Sequence, residues 1–197
     1  RNFAESIFTS DINRLTEAKE RGAHIIVFDP RLTNTAAFAH EWIAIKPGTD
    51  GALLLALMNV LITEKLYDAA FVEKSTLGFA ALADYALDKT PGWASHITDV
   101  PADSIRRIAR EMAAQKPACG VDPSWHGAWG SLYGNSLQTA RAALCLNALL
   151  GSYGAVGGLG PQPDDVRYSR HIVVITNAGP PRNPSRPPRA STKRFKS

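Results

Sequence analysis

The 197 residues carry 22 Lys/Arg against 18 Asp/Glu, with 45% hydrophobic residues and two cysteines. A chain of this length buries a real core as one or two domains, and so few cysteines exclude a disulfide-stapled scaffold. The longest apolar run, residues 51–62, is too short to cross a bilayer and contains Asn59, so no direct membrane span is expected.

The net charge of +4 is local. Residues 161–197 hold eight Lys/Arg against two Asp/Glu, which leaves 14 against 16 for residues 1–160. The stretch Pro180 to Arg189 is rich in Pro and Arg and cannot build a core. Residues 161–197 therefore read as a basic, disordered tail. A basic tail is also the one feature that favours a nucleic-acid-binding protein. It lacks interleaved aromatics, so no nucleic acid partner is expected.

In chain order, residues 7–21 predict an amphipathic helix with Ile12, Leu15 and Ala18 on one face, stopped by Gly22. Residues 24–28 are apolar and mostly β-branched, the pattern of a buried parallel strand. Residues 33–39 predict a short helical turn and residues 41–46 a second strand, broken by Pro47-Gly48. Asp50 opens a long apolar helix to about Lys65.

Residues 67–116 read as a helical segment, with helices at 67–72 and 79–87 and another whose first position is Pro101. In that last helix Ile105, Ile108 and Met112 share a face. Arg106, Arg107 and Arg110 lie on others, where a solvated charged face is expected over a phosphate site. Residues 118–121 return to the sheet as a strand, and a Gly-rich aromatic loop follows at 124–131. Asn135 or Ser136 caps a helix to about Leu150, from which Leu144, Asn147 and Ala148 approach the sheet. The fold class is α/β: a Rossmann-like, mostly parallel sheet flanked by helices.

Two acids stand at informative places. Asp29 ends the first strand, and Asp50 follows Pro47-Gly48-Thr49 at the mouth of the long helix. A strand-ending carboxylate suits ribose hydroxyls at the carboxyl edge of a parallel sheet. A carboxylate beside a helix start can accept two parallel hydrogen bonds from a guanine edge, while helix N–H groups suit a phosphate. Both acids serve equally as turn or helix caps. The two cysteines, Cys119 and Cys145, have no metal-site spacing and read as packed thiols. No G-x-G-x-x-G follows the first strand, which argues against a free-standing NAD-type nucleotide module.

Three segments, residues 29–76 (from Asp29-Pro30-Arg31 through Lys46-Pro47-Gly48-Thr49-Asp50), 91–118 and 125–160, resemble the molybdopterin oxidoreductases of the dimethyl sulfoxide reductase family. The last segment is most similar to the polysulfide and thiosulfate reductase branch. The resemblance covers residues 1–160 as part of one catalytic domain, and residues 161–197 depart from it. It implies bis-molybdopterin guanine dinucleotide carrying molybdenum or tungsten, and two-electron chemistry on a small inorganic substrate.

Residue by residue, the resemblance implies that Asn2 and Glu5 lie in a turn against a guanine dinucleotide, a turn whose usual leading Gly is absent here. Asp29, Pro30, Arg31, Leu32 and Thr33 match the segment that wraps one guanosine, and Gly48, Thr49 and Asp50 the segment that reads its guanine. His126, Gly127, Ala128 and Trp129 match the loop nearest the pterin and the substrate funnel, with His126 the candidate catalytic proton donor. His40 stands where the family often has Asp, and is expected to touch the strand entry rather than the cofactor.

The family's metal ligand and its cysteine motif for a four-iron four-sulfur cluster are not found in this sequence. The chain opens Arg1-Asn2-Phe3 without initiator Met or apolar leader, and is expected to start inside a longer protein. An iron–sulfur electron-transfer subunit, a membrane-anchor subunit and a periplasmic or membrane-associated location are implied by the resemblance alone.

Overall fold

The computed structural model describes residues 10–122, 134–159 and 171–175. The elements in order are α1 (Ser10–Glu20), β1 (His24–Phe28), α2 (Asn34–Phe38), β2 (Glu41–Ile43), α3 (Asp50–Thr63), α4 (Ala69–Ser75) and α5 (Phe79–Ala86). They continue with α6 (Pro91–Thr98), α7 (Ala102–Gln115), β3 (Cys119–Asp122), α8 (Ser136–Leu149) and β4 (His171–Ile175).

The strands form one parallel sheet in the order β2-β1-β4-β3. Strand β1 is covered on both faces, and its alternate residues go to two cores. Ile26 and Phe28 join α3, α7 and α8, whereas Ile25 and Val27 join Leu15 of α1 and Ala36 of α2. All four of these β1 side chains are fully buried. A strand covered on both faces reads as a continuous apolar run rather than an alternation, which is why residues 24–28 look as they do.

Helix α3 lies at the centre of the larger core. Leu53, Leu54, Leu57 and Leu61 are inaccessible to solvent. Each truncation to Ala there would cost about 2–5 kcal/mol. Helix α7 follows its predicted face, with Ile105, Ile108 and Met112 buried. Its arginines pair with acids as a solvated face does: Arg106 with Asp103 at 2.7 Å, Arg107 with Glu41 at 2.6 Å and Arg110 with Glu64 at 2.8 Å. Pro101 is the residue before this helix rather than its first.

Several expectations change. Residues 161–197 read as a disordered tail, yet His171–Ile175 form β4 between β1 and β3. The run His-Ile-Val-Val-Ile is β-branched and apolar, and both of its edges find parallel partners. Its Pro- and Arg-rich surroundings conceal that short signal; residues 160–170 and 176–197 lie outside the described residues. Helix α6 is absent from the sequence reading. It is only eight residues long, and its start depends on Thr90 Oγ1 accepting from the Trp93 N–H at 3.2 Å. Leu144 stays partly exposed, while its helix neighbour Asn147 is fully buried against β3.

Candidate functional site

The two acids singled out by the sequence are both buried, Asp29 just after β1 and Asp50 at the start of α3. Asp29 is 3% exposed. Its Oδ1 accepts from the Arg31 N–H at 2.9 Å, and its Oδ2 from the Thr33 hydroxyl at 3.2 Å. Thr33 in turn caps α2 by accepting from the Ala36 N–H at 3.3 Å. The order Asp-Pro-Arg-Leu-Thr thus folds back on its own carboxylate, a turn that such residues favour. The Trp42 indole donates to the Asp29 carbonyl at 2.9 Å and ties the turn to β2. A carboxylate has about four acceptor positions, so Asp29 retains capacity for a ligand. Arg31 and Leu32 are exposed on the same turn, with Leu32 61% accessible.

Asp50 is the other wall. The chain reaches it through Gly48, which has φ +78° and so occupies the left-handed region that glycine tolerates. Thr49, not Asp50, is the N-cap of α3, and the Thr49 hydroxyl donates to the Lys46 carbonyl at 2.6 Å. Asp50 is already the first helical residue, so the reading of Asp50 as an N-cap does not hold. Its side chain is 2% exposed, and Oδ1 has no hydrogen-bond partner among the described residues. Burial pushes its pKa up to about 6, and the Asp29 carboxylate adds to that rise. A buried acceptor left empty costs about 1–3 kcal/mol or more when charged. Native structures leave such groups for a reason.

His40 sits at the opposite end of the sheet's first pair. Its Nδ1 accepts from the Ile25 N–H at 3.0 Å, and its backbone N–H donates to the Ile25 carbonyl at 2.9 Å. It therefore holds the strand entry. Asn2, Glu5, His126, Gly127, Ala128 and Trp129 lie outside the described residues. The strand leading toward the last of these is held firmly. Val121 of β3 exchanges two hydrogen bonds with the Asn147 amide, and the Ser152 hydroxyl donates to the Cys119 carbonyl at 2.6 Å. The sequence places Asn147 near the sheet; the signal for this closer role is an Asn among apolar neighbours in the second half of α8, Ala142 to Leu149.

Among the described residues no group of three or more His, Cys, Asp or Glu is placed to hold a metal ion. No described helix is long and apolar enough to cross a membrane. The groups gathered here are those of a binding edge: a partly used carboxylate, a second one with an empty Oδ1, a helix N-terminus and an exposed arginine.

The model of the molybdopterin oxidoreductase family matches residues 2–180. The thiosulfate reductase molybdopterin-containing subunit of Salmonella typhimurium is 43% identical over 158 residues, covering 80% of this chain and 20% of that protein. The dimethyl sulfoxide reductase DmsA of Escherichia coli is 38% identical over 168 residues, covering 73% of this chain and 20% of its own length. Among solved structures, acetylene hydratase from Pelobacter acetylenicus superposes with a TM-score of 0.64 at 33% identity, covering 74% of this chain and 19% of that one. The chain spans about a fifth of the length of these relatives. With a family match across residues 2–180 and a parallel sheet to carry it, this chain belongs to the molybdopterin oxidoreductase family.

Proposed function

We propose that this chain is the part of a molybdopterin oxidoreductase catalytic subunit that binds one guanine dinucleotide arm of the cofactor. The observation that carries the reading is Asp50 Oδ1, a buried carboxylate oxygen with no partner among the described residues. A guanine edge presents N–H and NH2 donors side by side, and supplies what that carboxylate lacks. The residues present fit the group. Asp50 would take the base, and Asp29, with acceptor positions to spare, the ribose hydroxyls. Arg31 would meet the phosphates. Gly48 and Thr49 set the angle at which α3 meets the base, and Pro30, Leu32 and Thr33 complete the turn around the nucleoside. On the same reading Asn2 and Glu5 lie against the dinucleotide, and His126, Gly127 and Ala128 against the pterin.

When bound, the molybdenum (or tungsten) cofactor supplies two-electron redox chemistry, with the protein contributing orientation and electrostatics. The chain's own contribution is binding and orientation. His126 is the one side chain proposed to hold a proton near substrate. The similarity to a thiosulfate reductase subunit supports a small sulfur compound as substrate. We assign the metal ligand, a four-iron four-sulfur cluster and contacts to an iron–sulfur and a membrane-anchor subunit to the parts of the longer protein outside these residues.

The test is guanine dinucleotide content of the purified full-length holoenzyme. Asp50→Ala should cost on the order of 1.5–3 kcal/mol of binding, as for hydrogen bonds to a charged group. Asp50→Asn should be nearly as harmful, because an amide presents donors to donors. Full occupancy in Asp50→Asn would overturn the guanine assignment.

A further inference from the structure

Helix α3 has a second concave side. Leu53, Leu54, Leu57 and Leu61 enter the core with β1, whereas Leu55 helps to line a cavity of 710 Å³. Tyr85, Lys89 and Trp93 wall it on one side, and Arg141 and Cys145 of α8 on the other. Its described lining contains two cations and no Asp or Glu.

The two cations differ. Lys89 is satisfied: its ammonium pairs with Asp88 at 2.6 Å and lies 4.9 Å from the Tyr85 ring centre and 5.5 Å from that of Trp93. Arg141 is exposed, and its partner among the described residues is the neutral Gln138, at 3.2 Å. An open aromatic and aliphatic trough with an uncompensated arginine at its rim is complementary to something apolar that carries a carboxylate. A small ligand would be largely enclosed in its site. Here Tyr85 remains 58% exposed, so the trough is open along a side. That shape suits a laid-on polypeptide, and the relatives are about four times as long as this chain.

We propose that this groove is an intramolecular docking surface: it receives an apolar segment of the same subunit from beyond these 197 residues, with an Asp or Glu of that segment paired to Arg141. The proposal rests on the reading of the chain as part of a longer catalytic subunit. The groove runs up to Gly48 and Thr49 of the guanine-reading turn, but Asp50, the residue that carries the guanine assignment, is not among its lining residues.

The test is site-specific photo-crosslinking in the full-length holoenzyme. p-Benzoylphenylalanine replaces Tyr85 or Gln138, and crosslinked peptides are sequenced by mass spectrometry. Both positions should crosslink to one acid-bearing segment outside the 197 residues. Arg141→Glu should lower that yield at least about fivefold, and Arg141→Lys should largely restore it, as charge pairing at a partly desolvated rim requires. Crosslinks to a second copy or to another subunit overturn the proposal. So does the absence of crosslinks outside these residues, whether the groove is empty or holds a small molecule. An unchanged yield in Arg141→Glu overturns the charge pairing. Molybdenum and guanine content are measured on the same samples. Their absence in the unsubstituted holoenzyme would sink the functional reading without touching the groove, and normal content without crosslinks would do the reverse.

Discussion

The side-chain amide of Asn147 on α8 pairs with the backbone of Val121 on β3 as a neighbouring strand would. The Val121 N–H donates to Asn147 Oδ1 at 2.8 Å, and Asn147 Nδ2 donates to the Val121 carbonyl at 2.9 Å. Strand β3 is an edge strand whose other side pairs with β4. One buried side chain thus satisfies both backbone groups of Val121, and the Ser152 hydroxyl serves the Cys119 carbonyl of the same strand.

Removing the amide should therefore cost more than an average surface bond. Asn147→Ala leaves a buried N–H and a buried C=O without partners, at about 1–3 kcal/mol each. Asn147→Asp should also destabilise, since a carboxylate cannot donate to the Val121 carbonyl and faces it with charge. Urea midpoints of both variants against the unsubstituted chain check this. A loss below about 1 kcal/mol for Asn147→Ala would show that the edge is satisfied in another way.

Asp50 makes the cofactor-free chain pH-sensitive in an unusual direction. Its folded pKa is raised from 3.8 to about 6. Folding therefore favours its protonated form. The stability it contributes is full below about 3.8 and is lost as pH rises through about 6. The difference is on the order of 3 kcal/mol at neutral pH. Asp50→Asn should raise the urea midpoint of the cofactor-free protein at pH 7.5 and change it little at pH 4, while depleting guanine dinucleotide in the holoenzyme. A variant that is destabilised at pH 7.5 would place a stabilising partner on Asp50 that this account lacks.

His40 acts in the opposite direction. Burial, Lys19 and His24 lower its pKa below 6.5. The folded chain needs the neutral ring, because Nδ1 accepts from the Ile25 N–H. Its contribution is present above about 6.5 and is lost as pH falls through the lowered folded value. His40→Asn keeps an acceptor for Ile25 without titrating. Thermal midpoints between pH 7.5 and pH 5 should fall less for His40→Asn than for the unsubstituted chain; equal falls would remove His40 from the acid response.

Much of this architecture was legible locally. Residues 24–28 declare a buried strand because parallel strands with two covered faces need apolar side chains at every position. Leu53, Leu54, Leu57 and Leu61 declare the centre of the core, and Ile105, Ile108 and Met112 the buried side of α7, because a helix repeats every 3.6 residues. Asp29 and Asp50 were visible as acids at the ends of a strand and a turn. In each case the information lies within one or two turns of chain.

The tertiary structure decided what depends on distant neighbours. Whether Asp50 caps a helix or sits buried with an empty acceptor is a matter of which elements cover it, and no spacing encodes that. The same holds for His171–Ile175, five residues whose strand exists through backbone bonds to β1 and β3 on either side. It holds too for Asn147, whose amide becomes a strand partner only once α8 packs on β3. Side-chain periodicity records which face of an element is apolar. The partner that meets that face, and the dielectric it creates around a charge, come from residues far away in the chain.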